Sequence, residues 1–302
     1  MDPVAIRPMV AADRLAVGEL ICVSTNYWYE THAMARIFPE AAGTDVFWEV
    51  YAALPGSAGL VAMVGARLAG SCFYHERPTH LSLGIMNVHP NFFGHGVARA
   101  LLAHIIAAAE RAGKPLRLVS SALNLDSFSL YTRAGFVPRC LYQDIALAVP
   151  ASGLGAHAEL EACVRPAEVA DVARMAAVEM AVSGIQRGGD YEHFVRNDAG
   201  IWHVSVCAAA DGSLDGYLVS GPTMVGPGVA RTEAAAAALL LAELDRRRGR
   251  TSVFLVPAAC EELVRRAYAW GGRNCELHVA QARGECPPFR GVTMPSFLPE
   301  TG

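Results

Sequence analysis

One stretch, from Leu81 to Phe136, limits what this chain can fold into more than any other. It reads as an apolar strand, a glycine turn, a long amphipathic helix, a second strand and an asparagine-led helix. Leu81 to Val88 has the length and apolarity of a buried strand, and Pro90, which cannot donate to a ladder, stops the pairing. From Val97, apolar side chains recur at Leu101, Ile105 and Ala109, with Leu102 and Ile106 beside them, which is one helical face. Gly113 stands just past the last expected turn.

Between strand and helix lie Gly94 and Gly96. Glycines at this spacing let the backbone bend tightly and leave nearby amides uncovered by side chains. The unpaired amides of the following first turn point the same way, with the positive end of the helix dipole behind them. Such a turn suits a phosphate or pyrophosphate, and it equally serves as an ordinary strand-to-helix connection.

At 302 residues the chain has the length of two domains of ordinary size. With 53% hydrophobic and 18% charged residues it has ample core material. Residues 1–155 carry 11 basic and 11 acidic side chains and the remainder 14 and 18, so neither half offers the basic face that nucleic acid requires. The one dense basic run, Arg246-Arg247-Arg248 with Arg250, reads as the exposed end of an alanine-rich helix. Eight cysteines are scattered without CxxC or a metal-ligand spacing with histidine, so no metal is expected and reduced thiols in a cytoplasmic protein are. No signal peptide is apparent, and the apolar run Ala234 to Ala242 is too short to span a bilayer.

Along the chain, Val4 to Arg7 reads as a strand ended by Pro8, and Asp13 as the cap of a helix reaching Val23. The aromatic segment Asn26 to His32 either walls a pocket or packs the helices on the sheet. A short helix is expected over Asp45 to Ala53. Gly59 to Gly65 and Leu68 to Tyr74 form a hairpin around Ala66-Arg67. After Pro115 come a strand over Leu116 to Ser121, a helix that Asn124 can cap and that runs through Leu130 or Arg133 before Gly135, and a strand over Leu141 to Val149. The order predicts a mixed α/β fold. Ala151 to Ala156 is the best linker, and beyond it Cys163-Val164-Arg165-Pro166 and Asp171 echo Ala5-Ile6-Arg7-Pro8 and Asp13. Strands at Trp202 to Ala208, Asp215 to Ser220 and Thr251 to Val256 follow, with helices at Thr232 to Arg247 and Ala258 to Trp270 and a turn-rich interval at Gly221 to Gly228. This is the pattern of a diverged duplication. The expected domains are therefore 1–150, a linker at 151–161, a second copy at 162–286 and a proline-rich tail at 287–302.

Two segments then become specific together. Val88 to Leu102 resembles the acyl-coenzyme A signature of the GNAT superfamily of N-acetyltransferases. Asn124 to Phe136, with Tyr131 and then Gly135-Phe136, resembles that family's second signature. The resemblance covers about residues 4–149, and the echo over 162–284 lacks both signatures. It implies two tandem acyl-CoA N-acyltransferase-like domains, each a mixed, mostly antiparallel sheet flanked by helices, the second copy being degenerate.

The resemblance further implies that the strand ending at Val88 splays from its neighbour. The pantetheine arm of acetyl-CoA would bond to backbone near Met86 and Val88, and the pyrophosphate to amides from Phe93 to Ala98. The cofactor residues carried over are Met86, Val88, Asn91, Phe93, Gly94, His95, Gly96, Val97, Ala98, Asn124 and Ser127. The family usually has glutamine or arginine where Asn91 stands, and often a basic residue where Phe93 stands, so weaker cofactor binding is expected. Tyr131 is implied as the acid that protonates the departing thiolate, a role open to a neutral phenol. Asn124 either hydrogen-bonds near the cofactor or caps its helix.

The implied reaction is direct attack of an amine on the thioester, in a bacterial protein of the cytoplasm. A base must first take a proton from the amine, and Glu76 and Glu30 rank highest among Glu30, His75, Glu76 and His89. The acceptor is a small-molecule amine or a protein amine, with no nucleic acid and no membrane partner, and the protein is a monomer or a homodimer. Asn91, Phe93 and the missing obvious base also allow a non-catalytic acyl-CoA-binding scaffold, or an acyltransferase with a longer donor.

Overall fold

The structure, a computed structural model, describes residues 2–155, 163–222 and 224–296. Its contacts divide the chain into two units, Met1–Glu76 with Leu81–Leu116, and Arg77–His80 with Arg117–Gly302.

The first unit contains β1 (Val4–Pro8), α1 (Arg14–Thr31), α2 (Asp45–Ala53), β2 (Ser57–Val64), β3 (Arg67–Glu76), β4 (Leu81–Val88) and α3 (Val97–Ala112). The strands stand in the order β1-β2-β3-β4, each antiparallel to the next. On α3 the buried residues are Val97, Leu101, Leu102, Ile105 and Ala109, the face read from the sequence spacing. Gly113 takes a left-handed conformation and ends the helix through its N–H to Ala109 and Glu110. Burial of a leucine or isoleucine at such a site contributes roughly 2 kcal/mol.

The second unit contains β5 (Leu116–Ser121), α4 (Leu125–Arg133), β6 (Val137–Ala148), β7 (Val164–Pro166), α5 (Val172–Ser183), α6 (Asp190–Arg196), β8 (His203–Ala208), β9 (Leu214–Ser220), β10 (Met224–Ala230), α7 (Glu233–Asp245), β11 (Thr251–Pro257), α8 (Glu261–Ala269), β12 (Arg273–Arg283) and β13 (Val292–Met294). The strand order is β5-β12-β6-β11-β10-β9-β8-β7, with β13 on β10. Strand β6 therefore pairs on both sides with strands more than a hundred residues later, antiparallel to each. The core of this unit is built from α7 (Leu239, Leu240, Leu244) and α8 (Leu263, Ala267) against Ile145, Leu147, Phe254 and Val256.

A mixed, mostly antiparallel sheet flanked by helices is thus what the chain forms, with β10 and β11 parallel. The duplication shows in detail. Arg7 donates to Asp13 through both Nη atoms at 2.7 Å, and Arg165 to Asp171 at 2.7 and 2.8 Å, six residues apart in each copy. Strand β4 carries an extra residue against β3 between Leu83 and Met86, and β10 one against β9 between Val225 and Gly228.

Several expectations change. Asp13 does not cap α1 with its side chain, because its carboxylate is taken by Arg7 and the Val10 amide. Helix α1 runs on to Thr31, so Asn26 to Glu30 are helical rather than a separate aromatic segment. The turn-rich interval at Gly221 to Gly228 contains most of a strand, β10, whose bulge absorbs Gly226 and Pro227. Gly228 has no room for a side chain, since a Cβ would stand 2.6 Å from the Tyr217 carbonyl of β9. Within the expected proline-rich tail, Val292 and Met294 are buried in β13. Residues 156–162, in the expected linker, and 297–302 lie outside the described residues. Cys163 and Cys207, far apart in sequence, bring their sulfur atoms to 2.7 Å.

Candidate functional site

In the first unit, the bulge of β4 precedes Met86 to Val88, which pair with Cys72, Ser71 and Gly70 of β3. The strand ends at Val88, and the next residue, His89, accepts the Asn91 amide on Nδ1 at 3.2 Å and starts a single 3-10 turn over Pro90–Phe92. Phe92 turns inward, with the Arg67 guanidinium 5.1 Å above its ring. Phe93 stays exposed and meets Tyr27 edge-on at 5.6 Å.

Gly94 and Gly96 both adopt left-handed φ, +78° and +79°. A Cβ on Gly94 would touch nothing within 4 Å, so the turn is open above it. The Phe93 and His95 amides are spent on the Pro90 and Phe92 carbonyls, so they are not available donors as the signature implied. That leaves the amides of Gly94, Gly96, Val97 and Ala98. No side chain caps α3, and no acid lies in its first turn. An uncapped sixteen-residue helix behind two left-handed glycines has the geometry that suits an anion.

Sequence reasoning passed over Arg99. It sits in the first turn of α3 with its guanidinium over Gly96, 3.5 Å from where a Cβ would be. A cation there opposes the helix dipole and has no carboxylate partner among the described residues. An arginine in the first turn after a glycine pair was the available signal.

In the second unit, Asn124 caps α4: its Oδ1 accepts the Ser127 amide at 3.0 Å, so that amide is engaged. Tyr131, on the same helix, is buried and lies 5.7 Å from the Phe136 ring. The two acidic candidates are both exposed in the first unit. Glu76 accepts from Lys114 Nζ at 3.0 Å, and Glu30 from Arg36 Nε at 3.0 Å. His75, beside Glu76, is fully buried and tilted against Tyr51.

The second copy's equivalents of Met86 to Val88, counted from the bulge, are Gly228 to Ala230. Their outer edge is occupied. Gly228, Val229 and Ala230 pair with Met294, Thr293 and Val292 of β13, and Tyr142 on β6 lies 2.7 Å from the Thr293 hydroxyl. Nearby, Glu179 accepts hydrogen bonds from Arg187 Nε, Tyr191 and Tyr217, so this buried carboxylate is held by its own unit. A metal-capable group also occurs that spacing did not reveal: Asp144 of β6 with Glu276 and His278 of β12, all buried, with ligand atoms within 4.8 Å. His278 Nδ1 meets Asp144 at 2.9 Å, and burial pushes that carboxyl up while the histidine pulls it down.

Residues 26–136 match the model of the acetyltransferase (GNAT) family. That match spans about a third of the chain, and the fold of the whole is similar to that of a tandem GNAT protein. A putative acetyltransferase from Pyrococcus horikoshii is similar over 99% of this chain and 96% of its own, with a TM-score of 0.73 and 13% identity. A GCN5-related N-acetyltransferase from Sphaerobacter thermophilus covers 96% and 98%, with 0.63 and 18%. A tandem GNAT protein from the clavulanic acid biosynthesis pathway covers 93% and 98%, with 0.60 and 17%. No curated protein matches the sequence. Among the described residues, no helix is long and apolar enough to cross a membrane.

Proposed function

We propose that the protein is an N-acetyltransferase that takes acetyl-CoA in its first copy only and passes the acetyl group to a primary amine, on a small molecule or a protein. One observation carries the reading: the open Gly94-His95-Gly96 turn at an uncapped, acid-free start of α3. The residues fit the group, since four backbone amides and Arg99 lie at one uncapped helix start, where a pyrophosphate would add negative charge. Acetyl-CoA would supply the acyl group already activated as a thioester.

Met86 to Val88 offer the strand edge for the amide-bearing arm, and the amides of Gly94, Gly96, Val97 and Ala98 hold the diphosphate. Tyr131 keeps a proton on its phenol oxygen for the leaving sulfur, a role that rests on the second signature alone. Glu76 and Glu30 are the proposed proton acceptors for the amine, each from within an ion pair. The second copy takes no donor of its own, because β13 hydrogen-bonds the edge that corresponds to Met86 to Val88.

The test is thiol release from acetyl-CoA by the full chain with a panel of amines. Tyr131→Phe should lower turnover on the order of 10²-fold while leaving acetyl-CoA affinity nearly unchanged. Unchanged turnover in that variant removes the acid role, and retention of acetyl-CoA without thiol release from any amine removes the enzyme.

A further inference from the structure

The arginine run at 246–250 lines a cleft that the acyl-transfer reading does not use. The cleft has a volume of about 600 Å³, within the range of small-molecule sites. It lies wholly in the second unit, between the start of β8 (Trp202, His203), the β9–β10 hairpin (Ser220 to Pro222) and the exit of α7. The four arginines have different fates. Arg248 is bound to Asp245 at 2.7 Å and is spent. Arg247 is anchored by its donation to Ser220 Oγ at 2.7 Å and to the Gly221 and Met224 carbonyls. Arg246 and Arg250 are exposed, line the cleft and have no carboxylate partner among the described residues.

The charge balance inside the cleft is positive. Glu243 is the buried carboxylate nearby; it attracts Arg247, whereas the like charge of Arg250 disfavours it. One Glu243 oxygen already accepts from His203 Nδ1 at 2.7 Å and from Ser205 at 2.6 Å. One carboxylate against three guanidiniums leaves two charges uncompensated. A helix C-terminus accounts for some basic residues by its dipole alone. It does not account for a second observation: Trp202, 5% exposed and lining the cleft, has an indole N–H buried without an acceptor among the described residues. Its ring packs on Gly221, where a Cβ would stand 2.8 Å from the indole, so the wall is fixed.

We propose that this cleft binds the phosphate group of a small organic phosphate, with Arg246 and Arg250 as charged donors and the Trp202 ring as a fixed wall beside them. A phosphate dianion matches two free guanidiniums in charge and presents oxygens to planar donors. The volume beyond a phosphate leaves space for the organic part.

The full chain, labelled with ¹⁵N, would be titrated with inorganic phosphate while the Trp202 indole resonance is followed, assigned by its loss in Trp202→Phe. A saturable shift is expected, with the dissociation constant raised at least about tenfold in Arg246→Ala/Arg250→Ala. Both arginines are exposed, so the fold should survive, and Arg246→Gln/Arg250→Gln repeats the test with less change in packing. Arg266→Ala, whose partner is Glu262 on the surface, should leave the titration unchanged. An immobile Trp202 resonance, or the same titration in the double variant, overturns the site. Tighter binding of glutarate than of phosphate overturns its assignment to phosphate.

Discussion

The hydroxyls of Tyr142 and Thr293 lie 2.7 Å apart in the interior of the second unit. Tyr142 belongs to β6 and Thr293 to β13, so the bond pins the short last strand against β10. Thr293→Val keeps the shape and leaves a buried phenol without that partner. The expected loss is about 2 kcal/mol, read as a lower urea midpoint at unchanged slope. An unmoved midpoint would mean that β13 is held by its apolar residues alone.

Gly96 and Gly113 share a left-handed conformation at opposite ends of α3, at φ +79° and +64°. Alanine meets no close obstacle at either, so each substitution costs roughly 1–2 kcal/mol of backbone strain. Only Gly96→Ala should weaken acetyl-CoA, measured by calorimetry. Equal affinities in the two variants would dissociate the turn from the donor.

Asn124→Ala removes the cap of α4 and should cost about 1 kcal/mol, while Asn124→Asp should retain most of the stability. Thermal unfolding compares the two directly. If both variants lose the same amount, the side chain has a role other than accepting from Ser127.

Asp171 is buried and accepts from Arg165, Arg174 and the Glu168 amide, and its hydrogen bond with Arg165 holds the carboxyl below its usual range. A lowered folded-state value means that stability is fully present above the unfolded value of about 3.9 and is lost as pH falls through the folded one. Asp171→Asn should therefore lower stability near neutrality and flatten the acid limb below about pH 4. An acid limb as steep as that of the parent protein would assign the acid sensitivity elsewhere.

What the sequence disclosed depended on how each residue signals its surroundings. Pro90, Gly113 and the Leu101/Ile105/Ala109 spacing marked β4 and α3 because punctuation and period agreed there. Strand β10 was hidden by Gly226, Pro227 and Gly228, which ordinarily break strands but here serve a bulge and a close approach to Tyr217. Strand β12 was hidden by its interior chemistry: Glu276, His278 and Gln281 are all buried, so no apolar alternation remains to read. At the candidate site, the left-handed turn at Gly94 and Gly96 was legible because the motif names both glycines. The engagement of the Phe93, His95 and Ser127 amides was not, because backbone pairing leaves no trace in side-chain identity.

Strand β6 has a consequence for synthesis on the ribosome. It is complete at Ala148, yet its two neighbours finish at Pro257 and Arg283. At roughly 5–20 residues per second, its edges wait between about 7 and 30 s for β12 to emerge. Until β11 is complete at Pro257 both edges of a strand carrying Tyr142, Ile145 and Leu147 are open to other nascent chains, and until Arg283 one edge still is. Slowing or stalling translation between residues 149 and 283 should therefore raise aggregation more than the same pause placed after Arg283, which links the duplicated architecture to the timing of its own synthesis.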